Sequence, residues 1–195
     1  MSTLLTRVMH RWRRFRERRL LVRNYRRAAC TPPALAPPPL WQLPAGFAVT
    51  DIGATGIRMA ERFCTPSEAA ELIELGRRQV SPSTVIGPEG HSVQHAYRTS
   101  SDTLIKLADA NPLVRQIVTR AAALLGLPPA HSEALSLTRY LDDQQYKAHL
   151  DHDGSLRADR LYTVLLYLND LLPEQGGATR FEKLNVDVQP VCGRA

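Results

Sequence analysis

His149-Leu150-Asp151 is the sharpest chemical feature of this 195-residue sequence. Residues i and i+2 of a strand project from one face, so an imidazole and a carboxylate at this spacing converge on one point. Such a pair is two thirds of the 2-His-1-carboxylate facial triad, which holds non-haem Fe(II) and leaves positions open for a cosubstrate and oxygen. With six His and ten Asp in the chain, about 0.3 such spacings arise by chance, so the pair alone is a weak sign. An exposed His beside a turn Asp is the plain alternative. The surrounding sequence decides between them.

The elements that must position this pair can be read from periodicity. Thr65-Pro66-Ser67-Glu68 predicts a helix start, with Thr65 or Ser67 as cap and Pro66 in the first turn. The helix runs through Ala69–Arg78, with Ala69, Leu72, Ile73 and Leu75/Gly76 as its buried stripe. Ser81–Gly90 is rich in turn formers and reads as a loop. A second helix is predicted over Pro112–Leu125, with Leu113, Ile117, Ala121 and Leu124/Leu125 along one side, ended by Gly126 and Pro128-Pro129.

From Ala134 the period becomes strand-like. Leu135, Leu137 and Arg139 alternate with Ser136, Thr138 and Tyr140, and Asp142-Asp143 supplies a turn before the extended piece Tyr146–Asp151. Leu161–Asn169 is apolar on both faces, as a central strand would be. Gly176-Gly177 reads as a turn between that run and two short strands, Ala178–Glu182 and Val186–Pro190. Helices first and strands later predict an α+β fold whose second half is a β-sandwich or barrel.

Composition divides the chain at about residue 45. Residues 1–27 hold ten Arg and a single acidic side chain, a local charge of +9, while the remainder carries 15 basic and 18 acidic groups. The overall charge of +6 therefore belongs to the tail, and the folded part gives no warrant for a nucleic-acid binder. Leu5, Val8, Trp12 and Phe15 share one helical face within that tail. Such a helix could make weak contact with an anionic membrane surface or with nucleic acid, or act as an address; a solvated tail is the bland reading. Thr31–Ala45 contains six prolines and reads as an extended linker. Residues 1–45 are thus an Arg-rich helix and Pro-rich linker, and 46–195 the folded domain. No apolar run is long enough for a transmembrane helix. Cys30, Cys64 and Cys192 form no CxxC pair, which suits a reducing compartment and a cytoplasmic location.

The order of motifs around His149 and Asp151 resembles a known family. Arg139-Tyr140, Tyr146 three residues before His149, Thr163-Val-Leu-Leu-Tyr-Leu-Asn169, Gly176-Gly-Ala-Thr-Arg-Phe181 and Val188-Gln-Pro-Val-Cys-Gly-Arg-Ala195 follow one another. Upstream stand Phe63-Cys-Thr-Pro-Ser-Glu68, Arg98-Thr99-Ser100, and Glu133 with Leu135. Each motif is weak singly; the ordered set resembles the catalytic domain of the prolyl 4-hydroxylase group of Fe(II)/2-oxoglutarate dioxygenases, from about Ile57 to Ala195.

The resemblance implies a double-stranded β-helix (jelly-roll) core preceded by helices. It implies that His149 and Asp151 are iron ligands, that Tyr140 faces the 2-oxoglutarate pocket, and that Tyr167 hydrogen-bonds a cosubstrate carboxylate. Arg98 and Arg160 fall where the family places residues lining the substrate groove. The implied reaction hydroxylates a prolyl or other residue in a peptide or protein, or a free amino acid, while 2-oxoglutarate is decarboxylated to succinate and ascorbate (vitamin C) keeps the iron reduced. For the two tyrosines, ordinary strand packing with the hydroxyl at the rim is the structural alternative.

The family pattern also calls for a distal His and a basic anchor for the far carboxylate of 2-oxoglutarate, after a strand like Gly193-Arg194-Ala195. Arg180 and Lys183 do not fall at the anchor position, and Ala178 stands where Glu is usual. The expectation is a catalytic domain incomplete at its C-terminus and lacking its last strands. The competing reading is an inactive fragment or pseudoenzyme that serves as a binding module.

Overall fold

The computed structural model describes residues 48–86, 92–151 and 160–195. The Arg-rich segment, the Pro-rich linker, and His91 and His152 lie outside the described residues. The first described elements form an antiparallel hairpin, β1 (Ala48–Asp51) with β2 (Arg58–Glu61), in the register Val49 to Ala60. Helix α1 (Pro66–Arg77) follows, then β3 (Ser81–Pro82), β4 (Val85–Ile86), β5 (Ser92–Val93) and β6 (Ser101–Ile105). Helix α2 (Pro112–Leu124) precedes β7 (Leu135–Arg139), and β8 (Thr179–Phe181) with β9 (Val186–Val188) comes last. The described ladders form antiparallel sheets: β3-β6-β7, and the pairs β1-β2, β4-β5 and β8-β9.

Both helices begin where their side chains satisfy orphan backbone donors. Thr65 is the cap of α1: its hydroxyl accepts from the Glu68 amide at 3.1 Å, and the Glu68 carboxylate accepts from the Thr65 amide at 2.8 Å. Asn111 caps α2 through its side-chain oxygen, 2.8 Å from the Val114 amide. Gly126, at φ +64°, turns the chain away after α2.

The inward stripes of the two helices make the core. Leu72 and Ala69 of α1 meet Leu113, Val114, Ile117, Val118 and Leu124 of α2 around Phe63 and Cys64. The β3-β6-β7 sheet packs against this cluster through Ile105, Leu135 and Leu137, while Leu104 faces outward. Close approach is built in at Gly76, where a Cβ would lie 3.3 Å from that of Leu137. The Thr103 hydroxyl then ties β6 to the end of α1 by donating to the carbonyls of Gly76 and Gln79, at 3.0 and 2.7 Å. Cys64 and Cys192 are free thiols, and burial pushes that of Cys64 up to about 11, so it stays protonated and acts as a small apolar filler.

Three expectations need correction. Among the described residues helices do not come first, since β1-β2 precedes α1. The presumed loop Ser81–Gly90 contains β3 and β4, because Ser81 and Pro82 pair with Asp102 and Ser101, and Val85 and Ile86 with Val93 and Ser92. Pairing with residues further along the chain overrides the turn-rich composition. Leu161–Asn169, expected as a central strand, forms no strand. Among the described residues its backbone bonds centre on Tyr167, whose amide donates to the Arg194 carbonyl and whose carbonyl accepts from Gly193, both at 2.9 Å. Leu166 and Leu168 pack on the core, whereas Leu161, Val164 and Leu165 remain exposed.

Residues 193–195 link this segment to the hairpin. Ala60 and Ala195 exchange both backbone bonds, at 2.7 and 3.0 Å, and the Phe63 amide donates to the Gly193 carbonyl at 2.6 Å. Gly193 sits at φ +81°, and any Cβ there would collide with the backbone carbonyl of Cys64. Gly193→Ala should therefore destabilise the fold by about 2 kcal/mol or more, since both left-handed strain and a backbone clash oppose it. Urea unfolding checks this; an unchanged midpoint would mean that the C-terminal segment does not dock as described.

Candidate metal centre

The site begins with a reversal of the chain after β7. Asp142-Asp143 forms the predicted turn, with Asp143 at φ +64°. The returning segment is strapped to residues 97–99: the Thr99 amide donates to the Gln145 carbonyl, and the Lys147 amide to that of Tyr97, both at 2.9 Å. The Tyr97 hydroxyl adds a bond to the Ala148 carbonyl at 2.9 Å. These bonds deliver His149 and Asp151 at the end of a fixed support.

The extended piece expected over Tyr146–Asp151 forms no strand at 149–151, yet the two side chains still converge, with His149 Nε2 3.1 Å from Asp151 Oδ1. His149 Nδ1 lies 2.7 Å from the Lys147 carbonyl. A carbonyl only accepts, so Nδ1 carries the proton and a neutral ring presents a lone pair at Nε2. That lone pair faces a carboxylate oxygen, and two acceptors at this distance need a proton or a cation between them. In the metal-free protein the Asp151 carboxylate supplies the reason to keep a proton: it raises the imidazole pKa, while His149 holds the Asp151 carboxyl below its ordinary value.

A divalent metal fits the same gap. Two adjacent octahedral donors, each about 2.1 Å from a metal, are about 3 Å apart. The Nδ1 bond to a backbone carbonyl is the outer support that ligating histidines usually have. Asp151 is held equally well, because the Thr163 hydroxyl donates to its Oδ2 at 2.8 Å, leaving Oδ1 toward His149. Among the described residues no third His, Cys, Asp or Glu completes the cluster.

The other expected residues surround this pair at different removes. Arg160 donates to the Asp151 carbonyl at 3.1 Å while its fork grips Glu133 bidentately, which lowers the Glu133 carboxyl pKa. Arg98 is ion-paired with Asp102 at 2.9 Å, donates to the Thr84 carbonyl, and lies 5.0 Å from the centre of the Tyr146 ring. It also lines an open pocket with Pro82, Ser83, Gln94, His95 and Thr99. Tyr140 stands one residue past β7 and is half exposed. The Tyr167 hydroxyl is hydrogen-bonded to Thr179 Oγ1 at 2.6 Å and lies 3.1 Å from the Val188 carbonyl, in the layer of β8 and β9.

Three parts of the site were not assigned a role from sequence. They are Thr163 as the support of Asp151, the Lys147 carbonyl as the support of His149, and Tyr146, whose ring stacks on the imidazole with centroids 3.5 Å apart and planes 15° from parallel. Thr163 and Tyr146 stand inside quoted motifs, so position was the available signal; a backbone carbonyl leaves none.

Residues 135–195, which contain this pair, match the model of the 2OG-Fe(II) oxygenase superfamily. Over 127 residues the chain is 31% identical to a probable prolyl 4-hydroxylase 7 of Arabidopsis thaliana, spanning 62% of this chain and 39% of that protein. It is 30% identical over 131 residues to prolyl 4-hydroxylase subunit alpha-1 of Gallus gallus, spanning 63% and 25% respectively. A putative prolyl 4-hydroxylase of Acanthamoeba polyphaga mimivirus is 25% identical over 140 residues, with 67% and 54% spanned. The chain thus spans from a quarter to about half the length of these relatives.

Proposed function

We propose that this chain is a prolyl 4-hydroxylase-like oxygenase of the 2OG-Fe(II) superfamily, an oxidoreductase in which His149 and Asp151 hold Fe(II) for hydroxylation of a prolyl or other residue in a peptide or protein. The cofactors of that family are Fe(II) and 2-oxoglutarate, with ascorbate typical. The observation that carries the reading is the 3.1 Å approach of His149 Nε2 to Asp151 Oδ1, with each side chain pinned from behind. When bound, the iron would supply the chemistry by which dioxygen is divided between the two substrates: one oxygen atom ends in the hydroxyl placed on the C–H bond, and the other in the succinate formed as 2-oxoglutarate loses carbon dioxide.

The protein's own part is orientation. The Lys147 carbonyl and the Thr163 hydroxyl fix the orientation of the two side chains that would hold the metal. Tyr140 and Tyr167 are the candidates for the cosubstrate; Tyr167 has to exchange its Thr179 bond for a carboxylate to serve. Arg98 and Arg160 flank the pair as groove residues. With its fork occupied by Glu133, Arg160 acts as a rigid wall beside Asp151 rather than as a free cation. The jelly-roll core belongs to the same proposal: β6, β7, the 161–169 segment, β8 and β9 are read as parts of it. Among the described residues no helix is long and apolar enough to cross a membrane.

The test is anaerobic mixing of the purified chain with Fe(II) and 2-oxoglutarate. A visible charge-transfer band is expected, and its loss in His149→Ala would tie it to this site. Absence of any band from the wild-type chain would overturn the reading.

A further inference from the structure

We infer that Tyr146 is the positioning residue that sets the orientation of the His149 imidazole toward the metal; the inference rests on His149 being a metal ligand. Two constraints meet on this pair of rings. The imidazole lies nearly parallel to the phenol ring, at 3.5 Å between centroids and 15° between planes. The Nδ1 bond to the Lys147 carbonyl fixes one edge of the imidazole, but a single hydrogen bond still lets a ring pivot about its own axis. The parallel stack removes that freedom, because rotation would drive the imidazole edge into the phenol face.

Tyr146 is itself well anchored. Its backbone bridges Arg98, whose guanidinium sits 5.0 Å from the ring centre and is locked in turn by Asp102, Ser100 and the Thr84 carbonyl. A continuous chain of contacts therefore runs from the link between β3 and β4 and the start of β6, through Arg98 and Tyr146, to the imidazole. The phenol hydroxyl plays no part in this argument; the ring face does. Phenylalanine should substitute, and an aliphatic residue of similar bulk should not.

The experiment uses the full chain as wild type, Tyr146→Phe, Tyr146→Leu and, as a blank, His149→Ala. Two readouts are taken: the NMR positions of the His149 ring protons without metal, and the affinity for Co(II) from its visible absorption. Wild type and Tyr146→Phe should show His149 protons moved upfield by the stacked ring and should bind Co(II) alike. Tyr146→Leu should return those protons to an ordinary position and bind Co(II) about ten-fold more weakly, the scale typical of a lost outer support. Equal Co(II) affinity in Tyr146→Leu and wild type would overturn the inference while leaving the metal site standing. Should no variant bind Co(II) while the upfield shift persists, the metal reading fails first and the stack is only packing. A weakening as large in Tyr146→Phe as in Tyr146→Leu would also overturn it, since the ring face would then not be what matters.

Discussion

Asp151→Ala is expected to weaken Co(II) binding by the purified chain at least about 100-fold, with little change in folding stability. The first half follows from the donor set. The described site offers two protein donors, so removing the carboxylate leaves one neutral imidazole, and the loss must exceed the roughly 10- to 100-fold that outer supports carry. The second half follows from exposure. The side chains of His149 and Asp151 are 31% and 46% exposed, so neither is left as an uncompensated buried charge when its partner goes. Thr163→Val gives the graded control: it removes only the 2.8 Å bond that aims the carboxylate and should cost about ten-fold. Absorption titration measures all three proteins, and thermal unfolding monitors the fold. Unaltered Co(II) binding in Asp151→Ala would move the metal away from this pair altogether.

What could be read from sequence, and what could not, divides by the range of the interactions. The start of α1 is written in four residues, because Thr65 and Glu68 satisfy each other's backbone and Pro66 suits the first turn. The strand β7 is equally local: Leu135 and Leu137 face the core and Ser136 and Thr138 do not, as the alternation requires. By contrast, β3 exists only because Ser81 and Pro82 meet Asp102 and Ser101 some twenty residues later. Leu161–Asn169 shows the converse. Its composition is that of a central strand, but residues 193 and 194 engage it at Tyr167 alone, and no regular ladder results among the described residues. Composition states what a strand could be made of; partners decide whether it becomes one.

The site follows the same rule. Convergence of His149 and Asp151 is a two-residue property, and it holds even though the backbone there is not part of a sheet. Their supports are another matter. The Lys147 carbonyl is aimed by a loop strapped to Tyr97 and Thr99, about fifty residues upstream, and Thr163 approaches Asp151 from twelve residues downstream. The binding groups are therefore legible in the sequence, whereas the geometry that makes them a site is a property of the fold.

Arg120→Met should lower the unfolding free energy at neutral pH by about 2–3 kcal/mol, because Arg120 is where the two helices are joined by charge. Its guanidinium donates to Glu68 at 2.9 and 3.1 Å and to the Phe63 carbonyl at 2.6 Å. Both side chains of the pair are less than a fifth exposed, so the substitution leaves Glu68 partly buried and opposed only by its capping bond to Thr65. The cost is set below that of a fully buried pair because water reaches both groups. With a urea slope of about 2 kcal/mol/M, the midpoint should fall by roughly 1 M. The pH dependence carries the sign. Arg120 is the main reason the Glu68 carboxyl is held below its ordinary value, so the pair contributes its full stability above the unfolded pKa of 4.5. That contribution is lost as the pH falls through the lower, folded value. The gap between wild type and Arg120→Met should therefore be widest near pH 7 and shrink on acidification below about pH 4. Glu68→Gln, which removes the charge and keeps the shape, should show a smaller deficit that is flatter with pH. A midpoint for Arg120→Met within experimental error of wild type at pH 7, or a deficit of constant size down to pH 3, would show that packing of the helices and not this ion pair holds α1 against α2.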